Sequence, residues 1–427
     1  PFLFSRKPEL MLKQQNQPSG SLPGLGFKEF VAMIAALMAV NALTIDAMLP
    51  ALPEIGRALG VNDANERQWI ITAYVLGFGG AQLVYGPLSD RFGRRPVLLG
   101  SLIFFVIFSV CATFAQSFAF MIFSRVMQGV AVASTRVVTV SIVRDCYSGR
   151  QMARVMSLSF IVFMTIPVLA PALGQLVLEF AEWQWIFGAF AIFGAAVGLW
   201  AAMRLPETLH PEYRRPVELG PVLAACRIVV GNRFSVGYTL ALTLMFGSLF
   251  GFITSIQQVV ADVFGAAELL PIPFALPALS MAFAAFVNAR IVLRVGTRLT
   301  SHAALLGFIV FGAMHILSSL SGHETLWTFS AIQMGQMFCF GLASSNFGAM
   351  AMEPLGEVAG TAASVQGFVT TVGGALCGMF IGQSYDHSTL PLGVGFLVLG
   401  ICALVAVLYA EQGRLFVSRS GAPIEQG

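Results

Sequence analysis

Long apolar segments, each separated from the next by a few charged, proline or glycine residues, recur along almost the whole chain. A helix needs about 20 apolar residues to cross a bilayer core of roughly 30 Å. Twelve segments meet that length, the eighth despite three prolines near its start, so the sequence predicts an all-α membrane protein of twelve transmembrane helices. Their limits are 28–49, 69–88, 96–115, 118–142, 155–179, 184–203, 236–260, 269–289, 301–320, 326–350, 360–383 and 390–410.

Composition excludes several classes of protein. Of the 427 residues, 57% are apolar and 11% charged, whereas soluble domains carry about 25% charged residues, so a soluble enzyme is excluded. The net charge of +3 comes from 24 basic and 21 acidic residues, a balance that gives no sign of a nucleic-acid partner. The six cysteines show no metal-like spacing, and we interpret them as packing residues and predict no metal site.

Basic residues collect on one side of the predicted helices. Twenty lie in segments facing one side, against only Arg57 and Arg67 on the other, and Arg125 and Arg136 fall inside the fourth segment. The positive-inside rule therefore predicts that both termini are cytoplasmic. The twenty are Arg6, Lys7, Lys13, Lys28, Arg91, Arg94, Arg95, Arg144, Arg150, Arg154, Arg204, Arg214, Arg215, Arg227, Arg233, Arg290, Arg294, Arg298, Arg414 and Arg419.

The longest internal loop divides the chain into two halves. It is basic and proline-rich, and a faint repeat supports the division: the segment Gly86 to Arg95 is echoed by Ala289 to Arg298. Two related six-helix halves are typical of a transporter with its site near the membrane midplane. The predicted parts are a cytoplasmic tail at 1–27, a bundle at 28–203, a cytoplasmic linker at 204–235, a bundle at 236–410 and a tail at 411–427.

Two ionisable residues inside the predicted helices are the main candidates for chemistry. A charge near the bilayer centre costs at least about 2.5 kcal/mol, so each suggests a function. Asp46 and Arg125 lie at similar depth near the outer face, where they could form an ion pair or a water-bridged contact in which Asp46 takes and releases a proton. Alternatively, Asp46 only caps a turn and Arg125 only satisfies backbone carbonyls. Arg136 lies deeper and is expected to snorkel, not to bind substrate.

Uncharged polar side chains within the helices are candidates for lining a substrate cavity. The alternative is that they form hydrogen bonds between helices. They are Tyr74, Gln128, Gln257, Gln258, Gln336 and Asn346.

The short loop after the second segment predicts a charged latch at the inner face. Its glycines permit a tight turn, and Asp90 and Arg94, four residues apart, could pair with each other and with Asp145. The alternative is a solvated positive loop. The residues assigned to this gate are Gly86, Asp90, Arg91, Gly93, Arg94 and Asp145.

The fifth segment is predicted to bend. Pro167 and Pro171 lie four residues apart, and Gly174 follows on a small-residue face that permits close packing.

These segments resemble the major facilitator superfamily. Gly86-Pro-Leu-Ser-Asp-Arg-Phe-Gly-Arg-Arg95 is similar to its loop motif between the second and third helices, Ser124-Arg125-Val-Met-Gln128-Gly129 to its fourth-helix motif, and Pro167-Val-Leu-Ala-Pro171-Ala-Leu-Gly174 to its antiporter motif. The segments starting at Thr44, Ile142, Pro206 and Met352 are similar to the Bcr/CflA drug-resistance group. Ala170 and Gln175 depart from the antiporter motif, where glycines are common.

This resemblance implies two six-helix bundles, alternating access and export of small, often lipophilic drugs or metabolites across the inner membrane in exchange for protons. It implies that Asp46 is the coupling acid and Arg125 the embedded cation, with small-molecule substrate, protons and lipid as partners, no cofactor, no enzymatic activity and a single chain as the working unit. The remaining alternative is a proton symporter that imports a nutrient or organic acid on the same scaffold.

Overall fold

The computed structural model describes residues 25–147, 149–214 and 227–416. Within these ranges the chain forms twelve helices of 20 residues or more and no strand. They are α1 (Phe27–Asp46), α2 (Trp69–Phe92), α3 (Arg94–Thr113), α4 (Phe118–Cys146), α5 (Gly149–Phe180), α6 (Gln184–Arg204), α7 (Arg233–Gln258), α8 (Pro271–Val295), α9 (Thr297–Leu320), α10 (Leu326–Met352), α11 (Ala359–Gln383) and α12 (Leu390–Ala410).

The helices follow the twelve predicted segments, but some continue beyond the apolar residues. The helix α2 extends to Phe92 and α5 starts at Gly149, because backbone hydrogen bonding continues into the polar inner face. Ten helices of the described chain are long and apolar enough to cross a membrane. The described apolar part of α5 is only Thr165–Phe180, and Gln333 and Gln336 lower the hydropathy of α10.

We call the face at which α1 ends the outer face and the opposite one the inner face. The predicted N-terminal and C-terminal tails and the middle of the predicted linker lie mostly outside the described residues, together with basic residues assigned to the inner face: Arg6, Lys7, Lys13, Arg215 and Arg419.

The helices pack in a pattern that occurs twice. In the first half, α1 packs on α5, α2 and α3 pack on α4, and α3 packs on α6. In the second half, α7 packs on α11, α8 and α9 pack on α10, and α9 packs on α12. The halves meet where α2 contacts α11 and where α5 contacts α8. The helices at the boundary are therefore α2 and α5 of the first half and α8 and α11 of the second.

The backbone at the start of α3 and α9 also repeats. Gly93 precedes α3 with φ of +102° and Gly296 precedes α9 with φ of +87°. A side chain is strained in this region, so glycine makes both turns possible. The faint sequence repeat thus corresponds to two equivalent inner-face turns.

Large apolar side chains remain exposed along the outward surface of the bundles. In water such a surface would favour aggregation, whereas lipid chains cover it without a penalty. Examples on α3, α6, α9 and α12 are Ile103, Phe104, Ile192, Leu199, Val310, Leu317, Val398 and Val405.

Glycine permits a close crossing of α2 and α4 in the first half. A β-carbon on Gly129 of α4 would collide with the carbonyl oxygen of Tyr74 on α2, and one on Gly77 of α2 would collide with the carbonyl oxygen of Val126. The two helices therefore touch backbone to backbone, and this contact sets the depth of the neighbouring Arg125.

We expect Gly129→Ala to destabilise the protein by about 1–3 kcal/mol, because the added methyl group meets backbone that cannot move aside. Thermal unfolding of the detergent-solubilised protein measures this. Gly100→Ala on α3 is the matched control, since no atom lies within 4 Å of its added methyl group. Equal melting temperatures for the two variants would contradict the proposed crossing.

Candidate functional site

Asp46 is the last residue of α1 and lies inside the first half. Only 4% of its surface is exposed. Among the described residues its carboxyl group accepts no hydrogen bond and forms no ion pair, and the nearby Thr44 hydroxyl donates to the carbonyl of Val40 instead. A buried carboxyl group without a fixed partner is costly as an anion, so its environment favours exchange of a proton.

Arg125 is fully buried on α4 and connects three helices. Its Nε donates to the carbonyl of Ile70 on α2 at 3.0 Å, and its Nη2 donates to the carbonyl of Thr44 on α1 at 3.2 Å. The guanidinium lies over the Tyr74 ring, with its central carbon 4.3 Å from the ring centroid. In this conformation no ion pair joins Arg125 to Asp46; the guanidinium instead holds the backbone two residues before that acid.

Two side chains that the sequence assigned to the cavity belong to the Arg125 network. Gln128 accepts from Arg125 at 2.9 Å and donates to Ser109 on α3 at 2.8 Å. The Tyr74 hydroxyl donates to Asn41 on α1 at 3.0 Å. Both Tyr74 and Gln128 are 0% exposed, so neither lines an open cavity here. Their role is the alternative one, hydrogen bonding between helices.

Gly174 brings α5 against the end of α1. A β-carbon at this position would collide with the carbonyl oxygen of Ala47, the residue directly after Asp46. The helix α5 continues through Pro167 and Pro171, and Pro171 and Gly174 are buried. The predicted helix-bend residues therefore lie on the helix that packs against the end of α1, next to Asp46.

Three further polar residues that the sequence assigned to the cavity lie within the second half. Gln336 on α10 is fully buried, and neither atom of its amide has a hydrogen-bond partner among the described residues. Asn346 on the same helix donates to Asn288 on α8 and to the carbonyl of Leu342, both at 2.8 Å. Gln257 on α7 is 5% exposed. Asn346 and Gln257 do not contact the Arg125 network.

Amide groups join the two halves at the outer face. The side-chain nitrogen of Gln68 donates to Gln258 on α7 at 2.6 Å and to the carbonyl of Gly382 on α11 at 3.0 Å, and Gln258 donates in turn to the carbonyl of Ala64. Sequence reasoning placed Gln258 in the cavity and missed Gln68, which precedes α2.

A second set of amides extends this outer closure. The Asn65 side chain donates to the carbonyls of Gln383 at 3.2 Å and Tyr385 at 3.1 Å, and Gln383 donates to the carbonyl of Asn65 at 2.6 Å. Near the middle of the membrane, Gln82 on α2 donates to Thr371 on α11 at 3.1 Å. Of the hydrogen bonds between the halves given above, this one lies closest to the inner face.

The charged loop before α3 forms a compact cluster at the inner face. Arg94 is 3% exposed; it pairs with Asp90, with Asp145 at 3.0 Å, and donates to Ser89 at 2.7 Å. Arg91 is exposed and lies over the Phe92 ring, 5.2 Å from its centroid. The cluster thus joins α2, α3 and α4 of one half.

Glu207, after α6, completes the inner cluster. Its carboxylate accepts from the backbone nitrogens of Arg94 at 2.9 Å and Arg95 at 3.2 Å, which are free donors at the start of α3. Thr208 donates to Asp145 at 3.3 Å. The sequence analysis compared the segment that starts at Pro206 with a known family but gave Glu207 no role. Two features of the sequence could have identified it: an acid just after α6, and a helix, α3, that starts directly after Gly93.

The second half repeats this arrangement. Arg298 pairs with Glu411 at 2.7 Å and lies 3.9 Å from Glu353, while the Tyr238 hydroxyl donates to Glu411 at 2.8 Å. His302 contacts that hydroxyl at 2.9 Å. The sequence repeat pointed to Arg298, but not to Glu411 beyond the end of α12.

Among the described residues, the hydrogen bonds between the halves lie at the outer face and, from Gln82 to Thr371, near the middle of the membrane. Gly86 lies near Ser364 of α11, and the inner cluster itself makes its bonds inside the first half. The gate residues thus stiffen one half, and the outer amides close the mouth between the two.

We expect Arg125→Lys to destabilise the protein by about 3 kcal/mol, because one ammonium group cannot reach the acceptors that the guanidinium spans. Thermal unfolding of the purified protein measures the loss. Arg144→Lys, at an exposed position on the inner end of the same helix, is the control and should melt like the wild type. A wild-type melting temperature for Arg125→Lys would disprove the proposed connection.

We expect Gln258→Ala to open the outer face, because it removes bonds to Gln68 and Ala64. Spin labels at Arg57→Cys and Glu268→Cys, both exposed, report the separation of the halves once the six native cysteines are replaced by alanine. A longer distance should appear in more than about 10% of molecules. Ser384→Ala, which removes a bond within one helix only, should leave the distance unchanged; an unchanged distance in Gln258→Ala as well would count against the closure.

The architecture matches that of a solved transporter. The crystal structure of a D-xylose-proton symporter superposes with a TM-score of 0.70, covering 92% of this chain and 99% of that one at 11% sequence identity. At this identity the likeness shows the fold alone, which is the predicted twelve-helix arrangement.

Sequence relatives cover nearly the whole chain. A "Bicyclomycin resistance protein homolog" of Haemophilus influenzae is 28% identical, over 89% of this chain and 94% of the relative. "Multidrug resistance protein D" of Escherichia coli is 26% identical, over 92% and 97%. A "Chloramphenicol resistance protein" of Pseudomonas aeruginosa is 28% identical, over 88% of each chain. These relatives confirm the resemblance to the Bcr/CflA group.

The profile of the Major Facilitator Superfamily matches residues 34–378, which include Asp46, Arg125, the Gln68–Gln258 pair of the outer closure and the inner cluster of the first half. The protein is thus a multi-pass membrane transporter and not a member of an enzyme family. The chain belongs to the Major Facilitator Superfamily.

Proposed function

We propose that the protein exports small, lipophilic drugs or metabolites across the inner membrane in exchange for protons, with Asp46 as the proton-carrying group. The observation that carries this proposal is the environment of Asp46: a buried carboxyl group without a partner, at the end of a helix that Arg125 and Gly174 hold from two sides. The names of the relatives, which refer to bicyclomycin, chloramphenicol and multidrug resistance, support drugs as the substrate class.

The Arg125 contact with α1 suggests how proton occupancy moves the helices. When Asp46 loses its proton to the cytoplasm, its charge attracts the nearest buried cation, Arg125, away from the carbonyl of Thr44. The end of α1 then shifts relative to α5, and the outer amides separate. A proton from the outside neutralises Asp46, Arg125 returns to the carbonyl, and the outer face closes.

The proton gradient supplies enough free energy for this cycle. One charge crossing the membrane potential gains about 2.3 kcal/mol per 100 mV, which corresponds to a concentration ratio of tens. No cofactor is needed on this account. The chain would act as a single molecule with both termini in the cytoplasm, as the basic residues of the inner face predict.

The direction of transport separates this proposal from proton symport. An exporter's cells accumulate substrate when an uncoupler collapses the gradient, whereas an importer's cells then fail to fill. The solved symporter shares only the fold with this chain and does not favour import.

We expect Asp46→Asn to abolish proton-driven efflux, because an amide cannot release a proton, and Asp46→Glu to retain part of it. Drug uptake into everted vesicles energised by a pH gradient measures this. Glu66→Gln, which neutralises an exposed outer-face acid, is the control and should transport normally. Full gradient-driven efflux by Asp46→Asn would defeat the proposal.

A further inference from the structure

A second arginine on α4 lies in quite different surroundings from Arg125. Arg136 is 11 residues further along, which is almost three full turns, so both residues lie on the same face of the helix. Arg125 is 0% exposed and fully hydrogen-bonded, whereas Arg136 is exposed. The face that is tightly packed near the outer end of α4 is therefore open three turns closer to the inner face.

This open face does not point toward the lipid. The exposed Phe120 and Phe123 mark the lipid-facing side of α4, and one of them packs on Phe108 of α3. At about 100° per residue, Arg136 lies roughly 140–160° around the helix from these two phenylalanines. It faces the same way as Arg125, whose acceptors belong to α1 and α2. Arg136 therefore faces away from the lipid-facing side of α4, toward the interior of the protein.

The described hydrogen bonds between the halves leave one approach to Arg136. The outer mouth is closed by the amides around Gln68 and Asn65, and Gln82 binds Thr371 near the middle of the membrane. Arg136 lies further from the outer end of its helix than Gln82 does, and its side chain is exposed. A ligand would therefore reach this guanidinium from the inner face.

The described residues supply no anion for Arg136. In the described chain it forms no ion pair and donates no hydrogen bond. Asp46 lies near the outer end of α1, while Arg136 lies about 27 Å along α4 from the outer end. Asp145 is about 14 Å further along α4 and is paired with Arg94. The helices of the second half contribute no acid to the membrane interior.

We propose that Arg136 binds an anionic group of the transported compound, so that the exporter prefers amphipathic organic anions to their uncharged analogues. The inference rests on the proposed function and names the substrate class of the same cavity. A guanidinium offers five donors in a planar fork that matches a carboxylate or phosphate. This role of Arg136 differs from the prediction made from the sequence, that its side chain only snorkels to the membrane surface.

This substrate class also suits the driving force. An anion that leaves as one proton enters moves two charges in the same electrical direction, whereas a neutral compound moves one. Export of the anion would therefore depend twice as steeply on membrane potential as export of a neutral compound.

Paired ligands test the proposal on the full-length protein in detergent. The pairs are radiolabelled 1-naphthylacetate with 1-naphthylacetamide, indole-3-acetate with indole-3-acetamide, and diphenylacetate with diphenylacetamide, and binding is measured by equilibrium dialysis. We expect the wild type to bind at least one carboxylate about tenfold more tightly than its amide, Arg136→Gln to lose that preference, and Arg136→Lys to keep part of it. The proposal fails if no pair shows a preference or if the preference persists in Arg136→Gln.

Two controls separate this result from loss of the fold and from the proposed function. Arg57→Gln removes an exposed arginine at the outer face and should keep the preference. The melting temperatures of all variants should match the wild type. Arg136 is exposed and forms no hydrogen bond or ion pair among the described residues, so its replacement breaks none. Uncharged chloramphenicol, tested in everted vesicles, should still be exported by Arg136→Gln but not by Asp46→Asn. If proton-driven export is intact but the carboxylate preference is absent, the anion site is disproved and the exchange mechanism stands. If the preference depends on Arg136 but export is not coupled to protons, the exchange mechanism is disproved and the anion site stands.

Discussion

The attachment of Arg125 to backbone carbonyls is the interaction on which the site depends. A guanidinium inside a membrane protein needs an acceptor for each of its donors, and here α1 and α2 supply main-chain oxygens while Gln128 and the Tyr74 ring complete the shell. Because the acceptors are carbonyls and not a carboxylate, the buried charge leaves Asp46 unengaged. The backbone contact at Gly129 fixes the depth at which α4 presents this cation.

The two halves share a scaffold but divide the chemistry unequally. Arg125 and Gln128 are the eighth and eleventh residues of α4, and the same positions of α10 hold Gln333 and Gln336. The second half therefore carries amides where the first carries a cation and its partner. By contrast, the inner clusters are charged in both halves, around Arg94 and around Arg298. Both halves thus have a charged inner-face cluster, whereas at these two helix positions only the first half has a buried cation.

Most of the architecture could be predicted from the sequence, because a membrane helix is recognised by the length and hydropathy of its apolar segment. Asp46 and Arg125 also stood out, since few ionisable residues occur within the segments. The direction of the polar side chains could not be predicted. Tyr74, Gln128 and Gln258 are polar residues in apolar helices whether they face a cavity, a neighbouring helix or the opposite half. Glu207 and Gln68 lie outside the helices they bind, so only their three-dimensional neighbours give them a role.

The outer closure consists of amides, backbone carbonyls and a tyrosine hydroxyl, without a charged side chain in its bonds. Bonds between neutral dipoles are nearly indifferent to ionic strength and to acidity in the ordinary range. An acidic or salty exterior thus leaves the seal itself as strong as before. On the proposed function, the carboxyl group of Asp46 behind that seal is then the group through which external acidity affects the transporter, while the seal itself does not respond to it.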